Sequence, residues 1–283
     1  MTAPPESTPP TPAANASSQS GGGDERYMVP GLVRGLAMLA AFTAERPRLS
    51  LADLARAVGL TRSSAFRIAY TLADLGYLAR DGSDKSYRLG PRVLGLGFAF
   101  LDSIEIVDIA QPHLVALRDR TQCSAHLALL DGAEIVYVAR HADRKALTSR
   151  IQIGSRLPAH ATSMGRAILC QLSPEDVRAR FKDRPLEAFS AATATNLDDL
   201  AAQLARDRSR GYVLSRSSFE RGIASVAAPV FDAEGAVTAA INITTPESTL
   251  SGDDLETWIR DAVVETAAAI SEWLGHRGER RSA

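Results

Sequence analysis

Residues 49–90 read LSLADLARAVGLTRSSAFRIAYTLADLGYLARDGSDKSYRLG, and this stretch decides the fold of the N-terminal part of the chain. Ser50 is a candidate N-cap for a short helix, because apolar side chains follow it with a period of about 3.6 residues. Gly59 interrupts that period where a left-handed residue would end the helix, and Thr61 can cap the next helix. The small Ala55 would let the two helices cross closely. We therefore predict a helix-turn-helix.

A two-stranded wing is predicted directly after the second helix. Residues 77–80 and 87–89 can pair as strands around a turn at 81–83. A winged helix-turn-helix is typical of proteins whose second helix enters the major groove of DNA. Two alternatives stay open at this point: a winged helix that makes only protein contacts, and a three-helix core with a solvated face.

The second helix and the wing carry the side chains that DNA binding requires. Hydroxyls and the amides of a helix N-terminus suit phosphate oxygens, and arginine can bind guanine through two hydrogen bonds. Basic side chains in the wing would add contacts to the backbone or the minor groove. The predicted DNA-binding residues are Thr61, Arg62, Ser63, Ser64, Arg67, Lys85 and Arg88.

Composition limits the possible functions. The 283 residues are 45% hydrophobic and 23% charged, which suits two globular domains, each with its own core. The formal net charge is −1, so any affinity for DNA has to be local. Residues 24–90 contain ten basic and seven acidic side chains, a net charge of +3, and the sign of this asymmetry fits DNA binding.

The N-terminal segment and the cysteines bear on location. Residues 1–25 are expected to be a disordered tail, because 1–23 are rich in Pro, Ser, Thr, Ala and Gly, and contain no Lys or Arg. The same composition argues against a signal or transit peptide. The sequence contains no run of about 18 apolar residues, so we expect no membrane span. Cys123 and Cys170 lie far apart, which predicts neither a disulfide framework nor a zinc site, and favours a cytoplasmic location.

The rest of the chain alternates between helical and strand patterns. Residues 29–43 form an amphipathic helix pattern, and a mostly helical stretch starts at 91, where Pro112 would end or restart the helix. We expect this second stretch to be a packed linker or a dimer seam, followed by an antiparallel sheet flanked by helices. The predicted strands are 124–130, 134–140, 148–154, 212–215, 223–231 and 236–244, and the predicted helices are 162–171, one capped by Ser173, one capped by Asn196, and 253–274.

Taken in order, these segments resemble the IclR family of transcriptional regulators over residues 27 to about 275. The matching segments are VPGLVRGLAMLAAF, LADLARAVGLTRSSAFRIAYTLADLGYL, YRLGPRVLGLG, AQPHLVALRDRTQCSAHLALLDGAEIVYVAR, IQIGSRLPAHATSMGRAIL, RGYVLS and GIASVAAPVFDAEGAVTAAINIT. VPGLVRGLAML, AQPHL and LPAHATSMGR are also similar to the subgroup that regulates aromatic-acid breakdown through β-ketoadipate and 4-hydroxybenzoate.

The resemblance implies an α+β multidomain protein that binds DNA and a small effector. It places a winged helix-turn-helix at 26–90, a linker helix at 91–105 and a GAF-like α/β effector-binding domain at 106–275, with a C-terminal tail at 276–283. The linker helix would transmit the effector signal. The implied partners are double-stranded DNA with a palindromic operator, a small carboxylate and further copies of the chain, as a homodimer or homotetramer.

The resemblance also implies an effector pocket between the sheet and the loop that enters the HATSMG helix. The amides of that helix N-terminus favour an anion. On the residues alone, Asn242 and Thr244 share one face of a strand and need polar partners, either a ligand or the neighbouring backbone. The predicted effector-binding residues are Leu157, Ser163, Met164, Ser215, Ser225, Asn242 and Thr244.

Two positions bear on which acid would bind. Ser215 stands where some relatives carry an acidic residue, and Ser225 stands where some carry cysteine. We therefore hypothesise a larger or aromatic acid, with a small keto-acid as the alternative. No arginine is assigned to the effector carboxylate, because Arg150, Arg156 and Arg216 are expected to be solvated or ion-paired.

An enzyme is the remote alternative. The histidines do not have metal-ligand spacing, and Ser163 lies in T-S-M-G rather than in the G-x-S-x-G elbow of hydrolases. His160 precedes Ser163 by three residues, which leaves a hydrolase-like pair as a weak possibility. A scaffold that only dimerises is a third class. We predict no catalytic residue, metal or cofactor.

Overall fold

The computed structural model describes residues 25–82, 85–143, 151–249 and 253–277. It divides into two compact units, with the boundary between Phe100 and Leu101. Apart from Glu25, which begins a short 3-10 helix, the tail predicted at 1–25 lies outside the described residues. Of the tail predicted at 276–283, only His276 and Arg277 are described.

The described part of the N-terminal unit contains the three helices and the hairpin that a winged helix-turn-helix requires, followed by a fourth α-helix. Ser50 forms a capping box: its Oγ accepts from the Asp53 amide at 3.2 Å, and the Asp53 carboxylate accepts from the Ser50 amide at 3.2 Å. Gly59 has a φ of +64°, as predicted for the turn. The elements are α1 (Pro30–Ala40), α2 (Leu51–Ala57), α3 (Arg62–Asp74), β1 (Leu78–Arg80), β2 (Tyr87–Leu89) and α4 (Arg92–Asp102).

The most deeply buried side chains of α3 are small, and its aromatic side chains lie outside the core, although Ile68 and Leu72 pack against the core's edge. Ala65 and Ala69 are fully buried, whereas Phe66, Tyr70 and Leu75 are exposed. A methyl side chain allows the backbones of α2 and α3 to approach closely, and the aromatic side chains of α3 are left on its outer side. The buried core of this unit is Met38, Phe42, Leu49, Leu54, Ala55, Ala65, Ala69, Leu78 and Tyr87.

The C-terminal unit is built on a six-stranded antiparallel sheet, which confirms the predicted architecture. The central hairpin closes at Asp131 and Glu134, which pair across the turn, and Gly132 supplies a φ of +63°. The strand order is β5-β4-β3-β8-β7-β6. The strands are β3 (Ser124–Asp131), β4 (Glu134–His141), β5 (Arg156–Pro158), β6 (Val213–Arg216), β7 (Ile223–Phe231) and β8 (Val237–Pro246).

Helices cover both faces of this sheet and enclose a separate apolar core on each side. On one face lie α5 (Glu105–Thr121) and α9 (Trp258–Trp273). On the other face lie α6 (Ser163–Leu169), α7 (Pro174–Phe181) and α8 (Leu197–Arg210). The caps predicted for α7 and α8 are confirmed, since Ser173 and Asn196 each accept from an amide three residues later.

Pro112 neither ends nor restarts a helix, contrary to the prediction. It lies inside α5 and is exposed, as is Asp108, whose carbonyl group loses its intrahelical partner. Water can bond that carbonyl on the solvent side, so the proline is tolerated. The break instead falls at Ser103 and Ile104, between α4 and α5, so the linker helix predicted at 91–105 ends at Asp102.

The strand predicted at 148–154 is also wrong in its described part. Residues 148–150 lie outside the described residues, and 151–154 form a turn in which Gly154 has a φ of +88°. The strand itself starts at Arg156, where β5 pairs with β4, although the Gly154 amide and the Ser155 carbonyl already bond to the backbone of Tyr137. The terminal helix predicted from 253 begins at Trp258, after a 3-10 turn at Asp254–Glu256, and the first helix spans Pro30–Ala40 rather than 29–43.

Gly165 offers a test of how closely α6 packs. A Cβ added there would overlap the carbonyl oxygen of Ala159, so backbone would have to move. We expect Gly165→Ala to lower the free energy of unfolding by about 1–3 kcal/mol, measured by thermal denaturation of the whole chain. Gly82→Ala is the control, because this exposed glycine has no positive φ and nothing within 4 Å of the added atom. An unchanged Tm for Gly165→Ala would contradict the close packing.

Candidate functional sites

The first turn of α3 is held by hydroxyl groups. The Oγ1 of Thr61 accepts from the Ser64 amide at 3.3 Å and donates to the Ser64 Oγ at 3.1 Å. It also lies 3.1 Å from the Ser63 Oγ. Thr61 is therefore the N-cap that the sequence predicts, and it fixes the positions of the two serines at the exposed start of the helix.

The two arginines of α3 carry unneutralised charge. Arg62 and Arg67 are exposed, and neither forms an ion pair with any residue that the structure describes. By contrast, Arg56 on α2 pairs with Asp53 at 3.2 Å. Free guanidinium groups on an exposed helix are available to an anionic partner such as a nucleic-acid backbone.

The two predicted wing contacts, Lys85 and Arg88, are exposed as well. Lys85 has a φ of +57° and follows two residues that lie outside the described ranges. Arg88 lies opposite Ala79 in the hairpin. All seven predicted DNA-binding side chains are therefore exposed in one unit.

Sequence reasoning did not single out the aromatic side chains on the exposed side of α3. Phe66 and Tyr70 are spaced by one turn, and their ring centroids are 6.1 Å apart. At 100° per residue they fall on the same side of the helix as Ser63 and Arg67. The two rings are exposed because α3 turns Ala65 and Ala69 into the core. The apolar pattern of the sequence alone could not show which side of the helix is buried.

Three predicted effector residues form one buried polar cluster in the C-terminal unit. The Oγ atoms of Ser163 and Ser225 are 2.7 Å apart. The amide Nδ2 of Asn242 donates to the Ser225 Oγ at 3.2 Å and to the Ser163 Oγ at 3.4 Å. Each of these side chains is less than a tenth exposed. They join the first turn of α6 to the middle strands of the sheet.

Of the remaining predicted effector residues, Ser215 and Thr244 flank this cluster in the sheet, whereas Leu157 lies on the edge strand β5. Ser215 is buried directly opposite Ser225, and the half-buried Thr244 lies opposite Ser225 on the other side. Met164 is fully buried, so only its backbone amide could face a ligand. Leu157 packs against the core beneath α6.

His126 is a member of this cluster that sequence reasoning missed as a site residue. It lies opposite Asn242 in the sheet, and its Nδ1 is 2.9 Å from the Asn242 Oδ1. Burial lowers the pKa of His126 to about 4; the Asn242 bond acts in the opposite direction, while the positive charges of Arg140 and His141 lower it further. His126 is therefore neutral at pH 7.

A β-bulge explains which β4 side chains join His126. Arg140 lies opposite His126, and Tyr137 lies opposite Ala128, because the pairing shifts between Leu127 and Ala128. The Tyr137 ring meets His126 edge-on at 5.5 Å. Strict alternation would put Tyr137 and Arg140 on opposite faces, so the sequence pattern could not reveal this set. One indication of this set was present in the sequence: Ser124 and His126 are two residues apart, so both polar side chains lie on the same face of the strand.

His160 and Ser163, the weak hydrolase-like pair of the sequence, each bond to a different partner. His160 contacts the Glu187 carbonyl oxygen at 3.0 Å through Nε2, whereas the Ser163 hydroxyl bonds to Ser225. Within the described residues, no cluster of His, Cys, Asp and Glu could hold a metal ion, and no helix there is long and apolar enough to cross a membrane.

The predicted pairing of surface arginines is confirmed where it can be seen. Arg156 bonds to Asp131 and to Glu134, each at 2.8 Å, and Arg216 pairs with Glu256 at 3.4 Å. Arg150 lies outside the described residues.

A buried ion pair anchors the helix that carries Ser163. The Arg166 guanidinium on α6 binds the Asp207 carboxylate on α8 through two bonds of 2.9 Å and 3.3 Å. Both side chains are almost fully buried, and burial lowers the pKa of Arg166 and raises that of Asp207. Because neither charge can reach water, each depends on the other.

Comparison with known proteins identifies the two units. Residues 31–82 match the model of the IclR helix-turn-helix domain, and residues 98–272 match that of the C-terminal domain of the bacterial transcriptional regulator IclR. The chain belongs to the IclR family. Both domains occur in the order that the sequence predicted, so this IclR protein is a DNA-binding transcriptional regulator with an effector-binding domain.

Relatives of this IclR protein include named regulators. The Pca regulon regulatory protein of Pseudomonas putida is 34% identical over 235 residues, 83% of this chain and 80% of that protein. The p-hydroxybenzoate hydroxylase transcriptional activator of Acinetobacter baylyi is 33% identical over 219 residues, which are 76% of this chain and 80% of that protein. A crystal structure of an IclR homologue from Microbacterium hydrocarbonoxydans, complexed with 4-hydroxybenzoate, superposes with a TM-score of 0.73 at 27% identity; the match covers 86% of this chain and 98% of that one.

The buried ion pair gives a prediction about α6. Asp207→Asn should cost about 3–5 kcal/mol of folding free energy, because the Arg166 charge would stay buried without its counter-charge. The double variant Arg166→Met with Asp207→Leu should recover most of that loss. Denaturant unfolding of the three proteins measures the difference. A double variant that is at least as destabilised as Asp207→Asn would show that the two charges do not depend on each other.

Proposed function

We propose that this IclR regulator binds a palindromic operator in double-stranded DNA as a homodimer or homotetramer, and that a small carboxylic acid, aromatic rather than a keto-acid, controls it. The observation that carries the effector part is the buried cluster of Ser163, Ser225 and Asn242. It joins hydrogen-bonding side chains of the sheet to the start of α6, where the residues that IclR resemblance assigns to the effector meet.

The exposed side of α3 supports the DNA part. The uncompensated charges of Arg62 and Arg67 lie beside Ser63 and the Phe66–Tyr70 pair. Such a surface offers phosphate contacts from the serines and arginines, base-edge contacts from arginine, and apolar contact with thymine methyl groups. The predicted wing contacts, Lys85 and Arg88, would extend it to the neighbouring backbone or minor groove.

Exposed apolar helices support an assembly of several copies. Val29, Leu32 and Leu36 form a stripe along one side of α1, and each is more than half exposed. The helix α4 has no buried residue, and four of its large side chains, Leu94, Leu96, Phe98 and Phe100, are each more than half exposed. Apolar surface of this extent calls for a covering partner, and a second copy of the chain is the one we propose.

Chemistry and relatives together favour an aromatic acid. With serine at positions 215 and 225, the pocket contains neither the acidic side chain nor the cysteine expected for regulators of very small keto-acids. Two relatives are named for Pca and p-hydroxybenzoate regulation, and the Microbacterium homologue was crystallised with 4-hydroxybenzoate. A regulator of such a pathway would act in the cytoplasm, where its DNA lies.

The effector can change DNA affinity only through its different affinities for two arrangements of the paired winged helices. Coupling of this kind is worth about 1–3 kcal/mol. We propose that α4 transmits it, since this helix connects the residues of the winged helix to those of the effector unit.

Arg67→Ala tests the DNA interface. If Arg67 reads a base, specific affinity should fall by about 1–3 kcal/mol and the preference at one operator position should relax. The measurement is a fluorescence-anisotropy titration with the operator and with single-base variants of it. Arg178→Ala, which removes the same charge from an exposed position on α7, is the matched control. Equal loss on every sequence would mark Arg67 as a phosphate contact, and no loss would remove it from the interface.

A thermal-shift panel tests the effector class. Protocatechuate, 4-hydroxybenzoate, benzoate, β-ketoadipate, pyruvate and glyoxylate are added to the purified protein. One aromatic acid, at about a hundred times its Kd, should add about 2.7 kcal/mol and raise Tm by several degrees. Ser225→Ala should abolish this shift, and Ser209→Ala, an exposed serine on α8, should keep it. Shifts with the keto-acids alone would exclude the aromatic class.

A further inference from the structure

His126 lies directly behind the serine–asparagine cluster, at a position that the proposed function does not use. Its ring is fully buried, and Nδ1 is 2.9 Å from the Asn242 Oδ1. The second ring nitrogen, Nε2, is buried and has no hydrogen-bond partner among the residues that the structure describes. The ring is neutral at pH 7, since burial holds the pKa of His126 at about 4, so it carries one proton on one of the two nitrogens.

The unpaired nitrogen indicates where that proton sits. A buried N–H without a partner is rarer in proteins than an acceptor without one, because the unpaired donor is harder to tolerate. With the proton on Nδ1, the ring donates to the Asn242 Oδ1, and Nε2 keeps only a lone pair. With the proton on Nε2, a buried donor would be left unpaired, and the Asn242 amide would have to turn round.

The direction of the Asn242 amide decides how the serine protons are used. With Oδ1 bonded to His126, Nδ2 faces the serines and donates one proton to each Oγ. One serine then donates to the other across 2.7 Å, which leaves one hydroxyl proton unused. If the amide were reversed, Oδ1 would accept from the serines, and both hydroxyl protons would be used within the cluster.

We propose that His126 is a positioning residue of the effector site: by donating from Nδ1 it orients Asn242, and the Ser163–Ser225 pair thereby offers a free hydroxyl proton to the carboxylate of the effector. This inference rests on the proposed function and specifies it further. The site would select a hydrogen-bond-accepting, anionic group over a group of the same shape that donates, such as a carboxamide.

The first test reads the histidine tautomer without any ligand. The full-length protein is labelled with ¹⁵N-histidine, and the long-range proton–nitrogen spectrum is recorded at pH 7. The signals that disappear in His126→Asn identify His126 among the five histidines. We expect Nδ1 to have the shift of a protonated nitrogen and Nε2 that of an unprotonated one. The reverse assignment would overturn the inference.

The second test measures ligand selectivity by calorimetry with 4-hydroxybenzoate and 4-hydroxybenzamide. The wild-type protein should prefer the acid, and His126→Leu should reduce that preference about tenfold or more, because Asn242 is then free to reverse. His126→Asn should retain the preference, since its δ nitrogen can donate from the place of Nδ1. His113→Leu, a histidine of α5, is the control for losing a ring.

The outcomes separate this inference from the proposed function. An unchanged preference in His126→Leu would overturn the role of His126 and leave the effector proposal intact. If the wild-type protein binds no acid of the panel, the effector proposal fails, and the ligand part of this inference fails with it. The nitrogen spectrum still shows whether Nδ1 of His126 carries the proton. Should His126→Leu not fold, His126→Phe replaces it, because a phenyl ring fills a similar volume but cannot donate to Asn242, so the same loss of preference is expected.

Discussion

Desolvation of a few polar groups between the sheet and α6 is the constraint on which the effector unit depends. Ser163, Ser225, Asn242 and His126 have almost no access to water, so each must find its partner within the protein. They form one hydrogen-bonded chain that crosses four elements of the fold, α6, β7, β8 and β3. The effector that we propose would exchange bonds with this already ordered network, and that would make the site selective.

The position of α6 follows from the same constraint. Its first turn supplies Ser163 to the polar chain, and one turn further Arg166 reaches Asp207 on α8. Gly165 allows the helix to lie against the backbone at Ala159. These contacts leave α6 little freedom to slide, so a change in the cluster is expected to act on the helix as a whole. A regulatory domain needs this property if effector binding is to move an element outside the pocket.

Several features could be read from the sequence because their causes are local. The Ser50 cap, the left-handed Gly59 and the Thr61 cap each depend on neighbours within a few residues, and all three are present in the structure. The strands were found where apolar residues alternate. The errors came where context outweighed the local signal: Pro112 is tolerated on a solvent-facing side of α5, and Gly154 turns the chain before β5 can start.

The sequence by itself determined the winged helix, the antiparallel sheet, the family and most of the residues around the polar cluster, since caps, periodicity and motifs are short-range. Only the tertiary structure decided that His126 joins Asn242, that a bulge brings Tyr137 beside it, and that α3 buries alanines and exposes its aromatic rings. The reason is that register and burial are set by contacts between residues far apart in the chain: one shifted pair in β3 and β4 changes which side chains share a face.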